Sequence, residues 1–177
     1  ETFGNFAFIM KARVETMRDL GPAMAPFNAF LLLQGLETLS LRMDRHVANA
    51  VAVAEFLSTH PRVARVTYPG RAKGVQGRLV KRYLPNGAGA IVTFRIRGGR
   101  AAGERFIAGC ELCSHVANVG DAKTLVIHPA TTTHRRLDDA ALAASGVTDD
   151  LVRISVGIET IDDIIGDIDR ALGRSAS

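Results

Sequence analysis

One stretch near the C-terminal end, Leu151-Val-Arg-Ile-Ser-Val-Gly-Ile158, constrains the fold more than any other. Side chains alternate along a strand, so Val152, Ile154, Val156 and Ile158 share one face, and Leu151, Arg153, Ser155 and Gly157 share the other. A β-branched face of that kind requires a core behind it. The opposite face carries a fixed cation beside two small residues, which on this reading leave open space around it. A guanidinium held on a sheet with room beside it suits a bidentate grip on a carboxylate or phosphate. The plain alternative is an arginine on the wet face of an antiparallel sheet.

The rest of the chain supplies the layer that such a sheet needs. At 177 residues with 47% apolar content, it is about one domain long and buries about 70% of its unfolded surface. No run of 18 apolar residues occurs, which argues against a membrane span. Glu1 opens the sequence in the middle of an apolar pattern (Phe3, Phe6, Phe8, Ile9), without a signal-peptide layout. The expectation is therefore a piece cut from a longer chain. Cys110-Glu-Leu-Cys113 has no second pair, and no histidine stands at paired ligand spacing. The cysteines read as reduced, mostly buried residues of a cytoplasmic protein, and no metal ligands are expected. No acid occurs between Phe56 and Gly103, where ten arginines and lysines fall, while the chain beyond Asp138 is acidic. Such asymmetry fits a nucleic-acid surface, a solvated patch or a face that meets an acidic neighbour.

Apolar spacing predicts a helix over Phe6–Leu20, stopped by Gly21-Pro22. It predicts a second, long helix from Phe27 to Ser58, bent at Gly35 and ended by His60-Pro61. At 1.5 Å per residue that helix would be about 45–50 Å long, more than a domain of this size needs, and suits a strut between two bodies. Strands are predicted at 63–68, 88–96, 112–117 and 124–127, and short helices over the residues before Tyr83, at 101–108 and at 138–144, where Gly146 closes the last of them. The final helix has Thr160 three residues before Asp163, and its buried stripe is Ile161, Ile164, Ile165, Ile168 and Leu172, with Gly173 at its end. This order argues for an α+β layer, a mostly antiparallel sheet with helices on one face. Gly87-Ala-Gly89 precedes a strand instead of a helix, so it is not a nucleotide fingerprint.

Three stretches together resemble one family: Gly21-Pro-Ala-Met-Ala-Pro-Phe-Asn-Ala-Phe-Leu-Leu-Leu-Gln-Gly-Leu-Glu-Thr-Leu-Ser-Leu-Arg-Met43, Asn118-Val-Gly-Asp-Ala-Lys-Thr-Leu-Val-Ile-His-Pro129 and Asp150-Leu-Val-Arg-Ile-Ser-Val-Gly-Ile-Glu159. They are similar to the C-terminal part of the pyridoxal-phosphate enzymes of cysteine and methionine metabolism, and Asn-Val-Gly-Asp-Ala-Lys resembles the O-acetylhomoserine sulfhydrylase branch. The resemblance implies the small C-terminal domain of the aspartate-aminotransferase-like (fold type I) class. Residues 1–27 would be a remnant of the large cofactor domain, 28–60 a long linking helix and 61–177 the substrate-carboxylate-binding domain. It implies that Arg153 holds the substrate's α-carboxylate and that Asn118 contacts the same group.

It further implies pyridoxal 5'-phosphate as an electron sink in the parent enzyme, O-acetylhomoserine and sulfide as substrates, homocysteine as product and a homo-oligomer, a tetramer in the family. The family's Schiff-base lysine sits in a Ser/Thr-Lys-Tyr context, and Lys11, Lys73, Lys81 and Lys123 lack it. No catalytic or cofactor-binding residue is therefore expected in these residues, and the chain alone is expected to be inactive. A cystathionine γ-synthase or γ-lyase type of the same family is the alternative. A basic nucleic-acid-binding module, with Tyr68, Tyr83 and Phe94 as stacking partners, is disfavoured because those aromatics fall in strand and helix patterns.

Overall fold

The computed structural model describes residues 4–175. Phe3, part of the first apolar pattern, lies outside them. The chain divides into two compact units, Glu1–Leu39 and Ser40–Ser177.

In the first unit a short turn leads into α1 (Ala7–Lys11), a π-helical stretch (Ala12–Met17) and α2 (Arg18–Leu20). Gly21 stops this run at φ 60, a left-handed conformation that costs a glycine little. Pro26 opens α3 (Pro26–Glu37), where its missing N–H is not needed. Apolar side chains here stand in the open: Phe8 is 83% exposed, and Phe27, Phe30 and Leu33 are also exposed.

The helix predicted over 27–58 is two helices. Between α3 and α4 (Leu39–Thr59), Thr38 adopts φ −104, ψ 6, while Gly35 remains helical. A β-branched residue with a competing hydroxyl leaves the helix more readily than its neighbours. The helix is therefore interrupted at Thr38, three residues past the expected position.

The second unit is built on four antiparallel strands: β1 (Val63–Thr67), β2 (Ile91–Ile96), β3 (Leu125–Ile127) and β4 (Leu151–Ser155), in the order β1-β2-β4-β3. Val152 pairs with Phe94, and Ile154 lies between Val92 and Val126, so the β-branched face predicted for β4 is continuous across the sheet. Against it pack α4 through Val53 and Leu57, α6 (Gly99–Gly109) through Phe106, and α8 (Ile161–Arg174) through Ile164, Ile168 and Leu172. Phe94 and Phe106 meet edge to face at 5.4 Å, a favoured aromatic geometry. The remaining helices are α5 (Gly74–Tyr83) and α7 (Asp139–Ala144). This is the expected α+β layer, with its core between the sheet and helices on one face.

Two local expectations are corrected. The strand predicted at 112–117 is reduced to a single parallel bridge from Ser114 to Leu125. The carboxylate of Asp167, 1% exposed on α8, accepts from the backbone N–H groups of Glu111, Leu112 and Cys113 at 2.9–3.0 Å and turns the chain away from a ladder. At the start of α8 the Thr160 hydroxyl makes no cap; its carbonyl accepts from Asp163 and Ile164, and the helix runs one residue past Gly173.

Candidate functional site

Arg153 stands on the sheet face opposite the helices, paired across strands with Thr93 and Ile127. Arg95 lies on the same face, and the two arginines differ in how their charge is met. Arg95 Nε donates to both carboxylate oxygens of Asp150 at 2.9 Å, and Asp150 is 8% exposed. Burial pushes the Asp150 carboxyl up, but the hydrogen bonds from Arg95 and Thr148 hold it below its ordinary range. The same bond raises the Arg95 guanidinium.

Arg153 has no acid partner among the described residues. Its Nη2 donates to the backbone carbonyl of Asn118 at 3.0 Å, and its Nε is shut off from solvent without a partner. An orphaned donor on a buried part of a cation is uncommon and calls for an explanation. Asn118 is exposed, and its own Oδ1 accepts from Val119 N at 2.9 Å. The chain thus meets Arg153 through the Asn118 main chain, and the Asn118 amide group projects from an exposed position.

The two small residues beside Arg153 do not leave open space, as their size predicted. Ser155 is buried and its hydroxyl accepts from Gly120 N at 3.2 Å. A Cβ on Gly157 would fall 2.5 Å from the Ala122 carbonyl oxygen and collide with the Glu159 carboxylate. Small side chains here let residues 118–124 close over the end of β4. Thr124 seals that closure: its N–H and hydroxyl donate to the two Glu159 oxygens at 2.6 and 2.9 Å, and its hydroxyl accepts from Gly157 N at 2.9 Å. From α4, His46 Nδ1 reaches Val156 O at 2.7 Å, and Asn49 Nδ2 donates to Gly157 O and Glu159 O at 3.0 and 2.9 Å.

Sequence reasoning did not find His46, Asn49, Thr124, Glu159 or Asp167. Asn49 and its partners are more than a hundred positions apart, and a polar residue on an amphipathic helix ordinarily reads as the solvent face. The one available signal was a histidine and an asparagine on the helix side occupied by Ala50 and Val53.

The other candidates have structural partners. His128 is fully buried, with Nε2 against Asp149 O at 2.7 Å and Nδ1 against the Thr131 hydroxyl at 3.0 Å. Both cysteines are free, with Cys113 buried and Cys110 half-buried. A hydrogen bond with Cys110, then burial, pushes the Cys113 thiol up, away from the reactive thiolate. Among the described residues no group of three His, Cys, Asp or Glu could hold a metal ion, and no helix is long and apolar enough to cross a membrane. A cleft of about 490 Å³ in the basic segment is lined by Arg65, Tyr68, Arg71 and Lys73, among others, and Arg153 is not part of its lining. Lys11, Lys73, Lys81 and Lys123 are all exposed. Besides the buried Nε, three of the five N–H donors of Arg153 are unpartnered among the described residues, and a guanidinium in that state can take a carboxylate in a bidentate pair.

Comparison with known proteins places this geometry in context. The sequence profile of the Cys/Met metabolism PLP-dependent enzymes matches residues 5–173. Homocysteine synthase of Schizosaccharomyces pombe is 54% identical over 172 residues, which is 97% of this chain and 40% of that protein. O-acetyl-L-homoserine sulfhydrylase of Leptospira meyeri is 53% identical over 175 residues, with 97% and 40% covered. A crystal structure of O-acetylhomoserine (thiol)-lyase from Campylobacter jejuni, with N'-pyridoxyl-lysine-5'-monophosphate, superposes with a TM-score of 0.86 at 39% identity, covering 97% of this chain and 41% of that one. The chain therefore spans about 40% of the length of the relatives it matches.

Proposed function

The chain belongs to the Cys/Met metabolism PLP-dependent enzyme family, and from that premise we propose that it is the substrate-carboxylate-binding part of a sulfhydrylase making homocysteine from O-acetylhomoserine and sulfide. The names of its relatives support the sulfhydrylase branch over the γ-synthase and γ-lyase types. The observation that carries the reading is the Arg153 guanidinium, with no acid partner among the described residues and an orphaned Nε. In this reading its open N–H groups grip the α-carboxylate of the amino-acid substrate, and Asn118, whose carbonyl fixes one arm of the fork, borders the same group. Removing the carboxylate's negative charge from water is favourable only when a fixed cation replaces the lost hydration.

The residues present do not fit the cofactor itself. Pyridoxal phosphate needs a lysine held against its aldehyde, and all four lysines here are exposed; Lys11 pairs with Glu15. We assign the Schiff-base lysine and the phosphate contacts to the remainder of a longer parent chain, in keeping with the share of its relatives that this chain spans. Residues 1–27 would then belong with the cofactor domain, 28–60 would link the two bodies and 61–177 would carry the substrate arginine. The parent is read as a cytoplasmic homo-oligomer, and the exposed apolar side chains of α1–α3 support the oligomer, in which they are covered.

The test is Arg153→Ala in the full-length enzyme. Losing a bidentate, charge-assisted pair raises KM for the amino-acid substrate about 10- to 100-fold, with KM for sulfide unchanged. An unaltered KM for the amino acid removes Arg153 from substrate binding. The 177-residue chain alone is expected to show neither the visible absorbance of a pyridoxal imine nor turnover; either one would overturn the assignment of the lysine to the remainder of the parent.

A further inference from the structure

We infer that Asn49 and Thr124, assisted by His46, are positioning residues that set the direction in which Arg153 presents its guanidinium, an inference that rests on the carboxylate-binding role proposed for Arg153. Beyond Ser155 the three carbonyls of Val156, Gly157 and Glu159 are taken by side chains of α4. A carbonyl only accepts, so His46 carries its proton on Nδ1, and the Asn49 amide reaches two carbonyls at once. Both side chains are 2–3% exposed. Truncating either leaves buried carbonyls without donors, which costs more than the net worth of the bonds.

The other side of the same turn is held by Thr124, itself fully buried. Its hydroxyl has a single proton, which goes to Glu159 Oε2 at 2.9 Å, and its oxygen receives Gly157 N–H at 2.9 Å. The segment leading into Thr124 is tied to β4 and its extension at three further points. Ile158 N donates to Ala122 O at 2.9 Å, Gly120 N to the Ser155 hydroxyl at 3.2 Å, and Arg153 Nη2 to Asn118 O at 3.0 Å. Asn118 O is the one protein partner of the guanidinium among the described residues. Its position depends on residues 118–124, whose C-terminal anchor is the Thr124–Glu159 pair, and Glu159 is fixed through its own carbonyl by Asn49. Hydrogen bonds, joined through Glu159 and the backbone of residues 118–124, therefore link α4 to the fork of Arg153. A bidentate pair tolerates only about 0.5 Å of misplacement, so loosening this set is read at the carboxylate.

The experiment uses the full-length holoenzyme, with Asn49→Ala, Thr124→Val, Thr124→Ser and Arg153→Ala, each alone and the first two also combined with Arg153→Ala. Asn49→Ala and Thr124→Val are expected to raise KM for the amino-acid substrate about 5- to 20-fold with kcat nearly unchanged, the signature of lost uniform binding. Thr124→Ser, which keeps the hydroxyl, restores most of it. In an Arg153→Ala background neither substitution adds a further increase, because both act through that side chain. Multiplicative effects in that background, or variants with lowered Tm and normal KM, would show the clamp to be merely structural. Thr124→Val is isosteric and decides the matter if Asn49→Ala does not fold. If Arg153→Ala itself leaves KM unaltered, the role of Arg153 fails and this inference with it; if only Asn49→Ala and Thr124→Val leave KM unaltered, this inference alone fails.

Discussion

Replacing Arg153 by methionine separates an arginine kept for a ligand from one kept for the fold. Methionine retains the apolar stem and its packing but removes the cation. The orphaned Nε is a buried donor without a partner, a deficit of about 1–3 kcal/mol. The opposing loss is the half-exposed bond from Nη2 to Asn118 O at 3.0 Å, about 1 kcal/mol. Arg153→Met should therefore stabilise the protein by up to about 2 kcal/mol, and at about 2–4 °C per kcal/mol for a chain of this size, Tm rises by a few degrees. Arg95→Met is the matched control on the same face. It deprives the nearly buried Asp150 carboxylate of its cation and should lower Tm. Thermal melts by circular dichroism, at one pH and one salt concentration, compare the two. A fall in Tm for Arg153→Met as large as that for Arg95→Met would refute the argument, since the guanidinium would then be a structural cation.

Asp167→Ala should destabilise by about 2–5 kcal/mol, because it strips three backbone N–H groups of a charged acceptor and only those of Glu111 and Leu112 lie where water can reach; urea denaturation measures it, and a loss under about 1 kcal/mol contradicts the reasoning. Burial pushes the Asp167 carboxyl up, but the N–H groups of residues 111–113 pull it further down, to a net lowered pKa. The unfolded chain then binds the extra proton first, so this stability is fully present above about pH 4 and is lost as pH falls through the folded pKa. Asp167→Asn should flatten the acid limb of the stability–pH curve; an unchanged limb would exclude Asp167 as its source. Gly157→Ala should cost about 2–4 kcal/mol through its clash with Ala122 O and Glu159. A normally stable Gly157→Ala protein would mean that residues 118–124 are not closed over β4.

The parts of this fold that announce themselves in sequence are those governed by a single repeat. Period-two alternation located β4 and β2, and the apolar spacing of Ile164, Ile168 and Leu172 located the buried side of α8. Gly21 and Gly146 were found as helix stops because both take φ values that other residues avoid, 60 and 76. The misread segments depend on partners far away in the chain. Leu112 and Val116 alternate like a strand, yet Asp167, more than fifty residues later, diverts the backbone and leaves both side chains exposed. Thr160 has the chemistry of a cap without the geometry. Arg153 could be singled out from its face of the strand, but its environment could not. The small residues beside it read as room, and only the fold shows that another segment occupies it.

The position of β4 in the sheet has a consequence for motion. With β2 on one side and β3 on the other, its amides are among the last in the domain expected to exchange with deuterium, opening only when the whole unit unfolds. Edge strand β1, with a neighbour on one side alone, should exchange far sooner. The backbone beneath Arg153 is thus held still on the timescale of turnover, so any adjustment to an arriving ligand falls to the side chain and to the segment over it.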